Sequence, residues 1–342
     1  MIKISLMTHR SHCAQICTGF ERLYKGKELE CIEYEDHCFD SSIPNHTFPI
    51  VEVKYHGKTL MYDTEDGYNQ KVMQYYLDKC DYYFKRSYSS TKNEELFSEI
   101  DRKKIYPLGL GYEVYTPSNP YCQKNKASLV KYLLGKKPCQ YFSVERFEGC
   151  AQYKTIEQLK IIFFCRLWEE RSDLTQEKND EREYINETRV AIIRRLKKIY
   201  GDAFIGGLYS NSLAKKMAPE IIVSRLHTER SQYLKKLHAA DIAIGTMGLH
   251  ESIGWKTAEY VASGKAIVNE KLHYEVPGDF KVGKNYLEFS TVDECINNVE
   301  FLVKHPFKVY EMKCRNLEYY MLYMKPEIMI KRTLDIVDSG EL

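Results

Sequence analysis

A chain of 342 residues is long enough for about two domains, and its 44% hydrophobic content, with Gly and Pro at only 18 and 10 positions, excludes collagen-like, low-complexity and disordered classes. The formal charge is +2, and acidic and basic side chains nearly balance in each half, so no basic field suited to nucleic acid is present.

In the first half, strands are expected over 2–7, 50–55, 60–62, 81–85 and 104–108, separated in part by helices over 68–79 and 127–134, with a last strand over 141–147. The apolar stretch before residue 9 is too short for a signal-peptide core, so export is not expected. A polar stretch over 148–155 marks the join between two domains.

The second half alternates more regularly. A short apolar run, 159–166, suits a strand buried on both faces of a parallel sheet. Its longest unbroken apolar stretch, Ile161 to Cys165, is far below the ~20 residues of a membrane helix. The charge-dense segment 171–188 reads as a solvated loop, and a helix over 186–200 stops at Gly201. Asn186 and Arg189, placed in its first turn, could close over a ligand. Strands at 203–208, 220–226, 241–245 and 265–269 then alternate with helices at 213–217, 229–239 and 252–263. Thr291 and Glu294 form a capping box for a helix over 292–304, and two more helices, 309–323 and 327–337, close the chain. Strand-helix alternation of this kind predicts an α/β fold with ligands at the carboxyl ends of parallel strands. Eleven cysteines without a Cys-x-x-Cys pair read as reduced core thiols of a cytoplasmic protein.

The most informative stretch is 239–268, AADIAIGTMGLHESIGWKTAEYVASGKAIV, in which Glu251 and Glu259 stand eight apart between two strands. It resembles the donor site of GT-B glycosyltransferases, specifically the family 4 type with its E-x7-E motif. It is also similar to the "group 1" transferase domains of bacterial spore-coat and surface-polysaccharide enzymes. The Gly and Pro that usually follow the first Glu are absent here. A second match is FFCRLWEER, 163–171, which resembles the family's Gly-Arg-Leu-x-x-x-Lys turn, with Arg171 at the Lys position.

The resemblance implies two Rossmann-like doubly wound domains facing a cleft: 1–150 for the acceptor, 156–310 for the nucleotide sugar, and helices over 311–342 returning to the N-terminal domain. It implies catalytic roles for Arg166, at the diphosphate, and Glu251, at the hydroxyls of the transferred sugar. Donor binding would fall to Arg171, to helix amides at Ser252, Ile253 and Gly254, and to Glu259 at the ribose hydroxyls. Arg171 could equally pair with Glu169 or Glu170. In the N-terminal half, His9 and His12 are expected on a loop facing the cleft, Asp63 begins a carboxylate run that either caps a helix or binds acceptor, and Lys85 either meets an anionic acceptor or is surface charge. No metal site is read from His9, His12, Cys13 and Cys17.

These expectations add up to a cytoplasmic, metal-independent and cofactor-free transferase. It would move a sugar from a nucleotide-sugar donor to a glycan, lipid-linked or protein acceptor, with retention of configuration, in bacterial surface polysaccharide or glycoconjugate synthesis. Peripheral association with the inner membrane face is compatible with such an acceptor, and no nucleic acid partner is expected. Two alternatives stand beside it: a non-catalytic nucleotide-sugar-binding partner subunit, and a GT-B-like sugar-nucleotide epimerase.

Overall fold

The computed structural model describes residues 2–8, 10–37, 48–123, 142–224 and 228–340. His9, the helix expected over 127–134 and part of the strand expected over 220–226 lie outside the described residues. The chain forms two compact units: 1–146 with 273–279 and 320–342, and 147–272 with 280–319. The first holds β1 (Ile2–Leu6), α1 (Ala14–Lys25), β2 (Ile32–Asp36), β3 (Ile50–Tyr55), β4 (Lys58–Asp63), α2 (Gln70–Leu77), β5 (Tyr82–Lys85), α3 (Ser90–Leu96), α4 (Glu99–Arg102), β6 (Ile105–Pro107) and α5 (Pro120–Gln123). The second holds β7 (Ile161–Cys165), α6 (Gln176–Tyr200), β8 (Phe204–Leu208), α7 (Ser212–Met217), α8 (Arg230–Ala239), β9 (Ile242–Gly245), α9 (Trp255–Ala262), β10 (Ala266–Glu270), β11 (Tyr286–Phe289), α10 (Val292–Lys304) and α11 (Pro306–Tyr319). The last helix, α12 (Pro326–Ser339), belongs to the first unit.

The fold is α/β, with a Rossmann-like sheet in each unit. In the second unit the strand order is β11-β10-β9-β7-β8, and every pairing is parallel. All five residues of β7 and all four of β9 are buried, which is why these strands read as unbroken apolar runs. In the first unit the order is β2-β1-β3-β4-β5-β6, and β3 runs antiparallel to both neighbours. Its departure from the parallel rhythm follows from a two-residue turn. His56 and Gly57 take φ of 46° and 77°, the left-handed geometry that folds β3 and β4 into a tight hairpin.

Helix α12 completes the first core: Met329, Ile330, Leu334 and Val337 pack with Phe20, Leu23 and Tyr62. Close crossing of α1 and α12 depends on Gly19, where a Cβ would lie 2.4 Å from the Pro326 carbonyl oxygen. Beside it Arg22 grips Glu327 with two parallel hydrogen bonds of 2.8 and 3.0 Å.

Several expectations need correction. No strand forms over 142–147, where Val144–Arg146 makes a single 3-10 turn. Near 220 the chain makes a 3-10 turn at Pro219–Ile221 and only one bridge, Leu208 to Ile222. The charged segment read as a loop is mostly the first half of α6, which begins at Gln176. Among the described cysteines, Cys13, Cys17, Cys80, Cys165 and Cys295 are buried thiols, whereas Cys31 and Cys150 are exposed and Cys122 is disulfide-bonded. Among the described residues, no helix is long and apolar enough to cross a membrane.

Candidate functional site

In the second unit a cavity of about 1070 Å³ opens at the carboxyl ends of β7 and β8. Arg166, Trp168, Arg171, Arg182, Tyr209 and Asn211 contribute to its wall, and Leu249 brings in the loop after β9. The end of a parallel sheet is where backbone amides and chain reversals leave room for a ligand. Arg166 follows β7 directly and is exposed, and its guanidinium makes no hydrogen bond or ion pair with the described residues. Arg171 is also exposed, but its guanidinium is held by Asp173 through contacts of 2.9 and 2.5 Å rather than by Glu169 or Glu170.

The loops that frame this cavity are pinned from below by α6. Asn186 accepts from the Trp168 N–H and donates to the Trp168 carbonyl, both at 2.8 Å. Arg189, buried, donates to the Arg166 carbonyl at 2.6 Å, the Met247 carbonyl at 2.8 Å and the Thr246 hydroxyl at 3.0 Å. These two residues, placed by the sequence reading where they could close over a ligand, instead sit mid-helix and tie the loop after β7 to the loop after β9. Glu270, at the end of β10, accepts the Met247 N–H at 2.9 Å. Arg182, Asn186 and Arg189 follow i, i+4, i+7 spacing, so a polar stripe at the periodicity of an apolar one was the missed signal.

The loop after β9 differs from its expected form. Helix α9 begins at Trp255, with Gly254 as its N-cap, so Ser252 and Ile253 precede the helix instead of supplying its first free amides. The cause is a tight closure: the Gly248 N–H donates to the Ser252 carbonyl at 2.8 Å, and the Ser252 N–H donates to the Leu249 carbonyl at 3.2 Å. A Cβ on Gly248 would meet the Ser252 Oγ at 2.4 Å, so a larger residue there would require the Ser252 side chain to turn away. Within this loop His250 and Glu251 both adopt left-handed backbone, φ 61° and 58°. Each costs on the order of 1–2 kcal/mol for an L residue.

Glu259 lies apart from the cavity wall. Buried on α9, it accepts from Arg230 Nη2 at 2.9 Å and from the Tyr233 hydroxyl at 2.6 Å. Burial pushes its carboxyl up, but the charges of Arg230 and Lys256, together with the Tyr233 hydroxyl, outweigh burial and hold it below the usual carboxylate range. Lys256 connects this cluster to the cavity wall, with its ammonium 3.3 Å from the Tyr209 hydroxyl and 4.0 Å over the Tyr233 ring. Neither Arg230 nor Tyr233 carried a recognisable motif.

A second group of charges gathers in the first unit at the carboxyl ends of β4 and β5. Lys85 and Asp63 form a fully buried ion pair, Nζ to Oδ2 3.1 Å, so Lys85 is not surface charge. Asp63 Oδ2 also accepts from the Tyr83 hydroxyl at 2.6 Å, its Oδ1 accepts the Glu65 N–H at 2.8 Å, and Lys85 also donates to the Glu65 carbonyl. Arg86 pairs with Asp66, and both act electrostatically on His12. Among the described residues, no group of three or more His, Cys, Asp or Glu side chains is arranged to hold a metal ion.

Burial pushes the His12 imidazole down from 6.5 to about 4, with Arg86 and Arg10 adding to the fall and Asp66 opposing it. Its folded pKa is therefore below the unfolded one, so between the two values only the unfolded chain binds the proton. Stability from this group should be complete above pH 6.5 and drain away as pH falls toward 4, by about 1.4 kcal/mol per unit. Urea denaturation at pH 7 and pH 5 checks this, and His12→Gln should flatten the difference.

No family model and no curated protein matches the sequence. Among solved structures the chain is similar to TarM, at 12% identity over 78% of this chain and a TM-score of 0.42, and it spans only 46% of TarM. It is similar to HepE of Anabaena in complex with UDP and glucose, at 11% identity over 80% of this chain and 68% of HepE, TM-score 0.42. A glycosyltransferase from Rickettsia africae is similar at 11% identity over 94% of this chain and 80% of the other, TM-score 0.45.

Proposed function

We propose that the protein is a GT-B glycosyltransferase that binds a nucleotide sugar in the second unit and transfers the sugar with retention to a glycan, lipid-linked or protein acceptor. The observation that carries this reading is Arg166: an exposed guanidinium without a protein partner among the described residues, at the carboxyl end of a buried parallel strand and on the wall of a cavity. A planar cation there suits a diphosphate, whose leaving oxygen gains charge as the glycosidic bond breaks. That oxygen can take the acceptor proton on the same face of the sugar, so no protein base is assigned. Arg171 serves the diphosphate once it exchanges Asp173 for phosphate, and Glu251 meets the sugar hydroxyls.

Glu259 is proposed to accept from the ribose hydroxyls. Its two oxygens each already accept one hydrogen bond, and a carboxylate has about four acceptor positions. Glu259→Gln should weaken UDP, GDP or dTDP, whichever stabilises the protein in a thermal-shift screen of nucleotide sugars, by about 1.5–3 kcal/mol in titration calorimetry. Equal affinity in a variant with unchanged melting temperature would remove Glu259 from the site. Turnover assays then separate the transferase from its alternatives: donor binding without transfer fits a partner subunit, and donor conversion without an acceptor fits an epimerase.

The arginines are proposed to supply the charge that a divalent ion would otherwise bring. Activity should therefore survive EDTA nearly intact. Loss that Mg or Mn restores would overturn the metal-independent mechanism.

A further inference from the structure

Lys256 stands in the first turn of α9, which begins at Trp255, and the helix dipole opposes a cation there. Helix stability therefore gives no reason for an ammonium at this position. What faces it does. The half-buried side chain donates from Nζ to the Tyr209 hydroxyl at 3.3 Å, and the same nitrogen lies 4.0 Å over the Tyr233 ring and 5.6 Å over the Tyr209 ring. Glu259 follows at i+3 on the same helix, a spacing that makes the two side chains neighbours.

Burial opposes the charge on Glu259, and Arg230, then Lys256, then the Tyr233 hydroxyl favour it. The other groups that act on this carboxylate are neutral. Burial and the Glu259 charge push the Tyr233 and Tyr260 hydroxyls well above their usual range, so both serve as dipoles and the cations are Arg230 and Lys256. Arg230 does not give Glu259 its whole charge. Its side chain is 21% exposed, and its guanidinium also lies 4.6 Å from the Phe147 ring and 5.4 Å from the Tyr233 ring, so water and two aromatic faces share it.

We propose that Lys256 is a positioning residue: its ammonium, held between the Tyr209 hydroxyl and the Tyr233 ring, stabilises the Glu259 carboxylate as an acceptor for a ligand's hydroxyls. The identity of the ligand rests on the donor reading, whereas the hold on the carboxylate does not. A protonated carboxyl turns one of its oxygens into a donor, so affinity for a pair of hydroxyls depends on which form is present. Through Tyr209, which lines the cavity, the same ammonium also reaches the cavity wall.

The test uses the full chain with 13C at the glutamate side-chain carboxyl, the Glu259 signal being identified by its loss in Glu259→Gln. In the wild type Glu259 should stay ionised as pH falls through the usual carboxylate range. Lys256→Met and Lys256→Gln should both titrate at distinctly higher pH, and Lys256→Arg, which restores the charge, should follow the wild type. Calorimetry at pH 8 and pH 5 with the tightest-binding of UDP, GDP and dTDP adds a readout that a merely structural contact would not move. Compared with the wild type at the same pH, the neutral variants should stay within about twofold at pH 8 and lose about tenfold at pH 5, since each unit below the titration point costs tenfold in ionised carboxyl. An unmoved Glu259 titration in both neutral variants overturns the proposal, whether affinity is unchanged or falls equally at both pH values. A moved titration with no pH-dependent loss of affinity keeps the hold of Lys256 on the carboxylate and removes the ribose contact, so that the donor reading of Glu259 fails alone.

Discussion

Arg166→Ala should fold normally and lower turnover by on the order of 10²–10³, about 2.7–4 kcal/mol, if it acts as one preorganised donor to the leaving diphosphate. The stability expectation follows from its exposure: the side chain is exposed and has no ion pair among the described residues, and the contact that fixes the loop is made by its backbone carbonyl to Arg189. The catalytic expectation follows from timing. Charge on the bridging oxygen grows as the sugar departs, so kcat should fall more than donor affinity. Arg166→Lys should recover only part, since an ammonium cannot present a planar fork. Arg171→Ala should cost less, because its guanidinium must first leave Asp173. Steady-state kinetics on the folded variants decides the matter: wild-type turnover in Arg166→Ala with a loss in Arg171→Ala would move the diphosphate to Arg171.

Lys85→Met should destabilise the first unit by about 3–5 kcal/mol, the usual consequence of leaving one member of a buried ion pair uncompensated. Lys85 and Asp63 are both fully buried, and after the substitution Asp63 would keep only the Tyr83 hydroxyl and the Glu65 N–H. Replacing both members, Asp63→Asn with Lys85→Met, should recover much of the loss because no charge remains to be desolvated. Both tryptophans, Trp168 and Trp255, lie in the second unit, so their fluorescence would follow the wrong transition. Hydrogen exchange at β4 and β5 is the suitable readout. Unchanged protection in Lys85→Met would mean that Asp63 takes up a proton or solvent at little cost.

The same contrast between local signal and tertiary contact runs through the whole chain. Strands β7 and β9 were legible because a parallel strand covered on both faces is read as an unbroken apolar run, β10 by its Ala-Ile-Val start, and the capping box at Thr291 and Glu294 marks a helix start by chemistry confined to four residues. Helix α1 was missed although Ile16, Phe20 and Leu23 stand at i, i+4, i+7 on its buried face. Its Gly19, Thr18 and two cysteines at or beside its start are poor helix formers, and the helix is held by α12, more than 300 residues away at Arg22 and Glu327. Strands β2 and β11 were missed for a related reason: five and four residues, only partly buried, carry too little alternation to read.

By itself, then, the sequence determined the α/β class, the repeated strands of the second unit and the placement of Arg166 at a strand end, since each depends on neighbours in the chain. Tertiary structure alone decided what the polar side chains do. Asn186 and Arg189 became loop anchors, Glu259 acquired Arg230 and Tyr233, and Glu181 found the amides of His250 and Glu251. A charged side chain desolvated by folding must find its partner wherever the fold brings one within hydrogen-bond reach, and that distance bears no relation to separation along the chain.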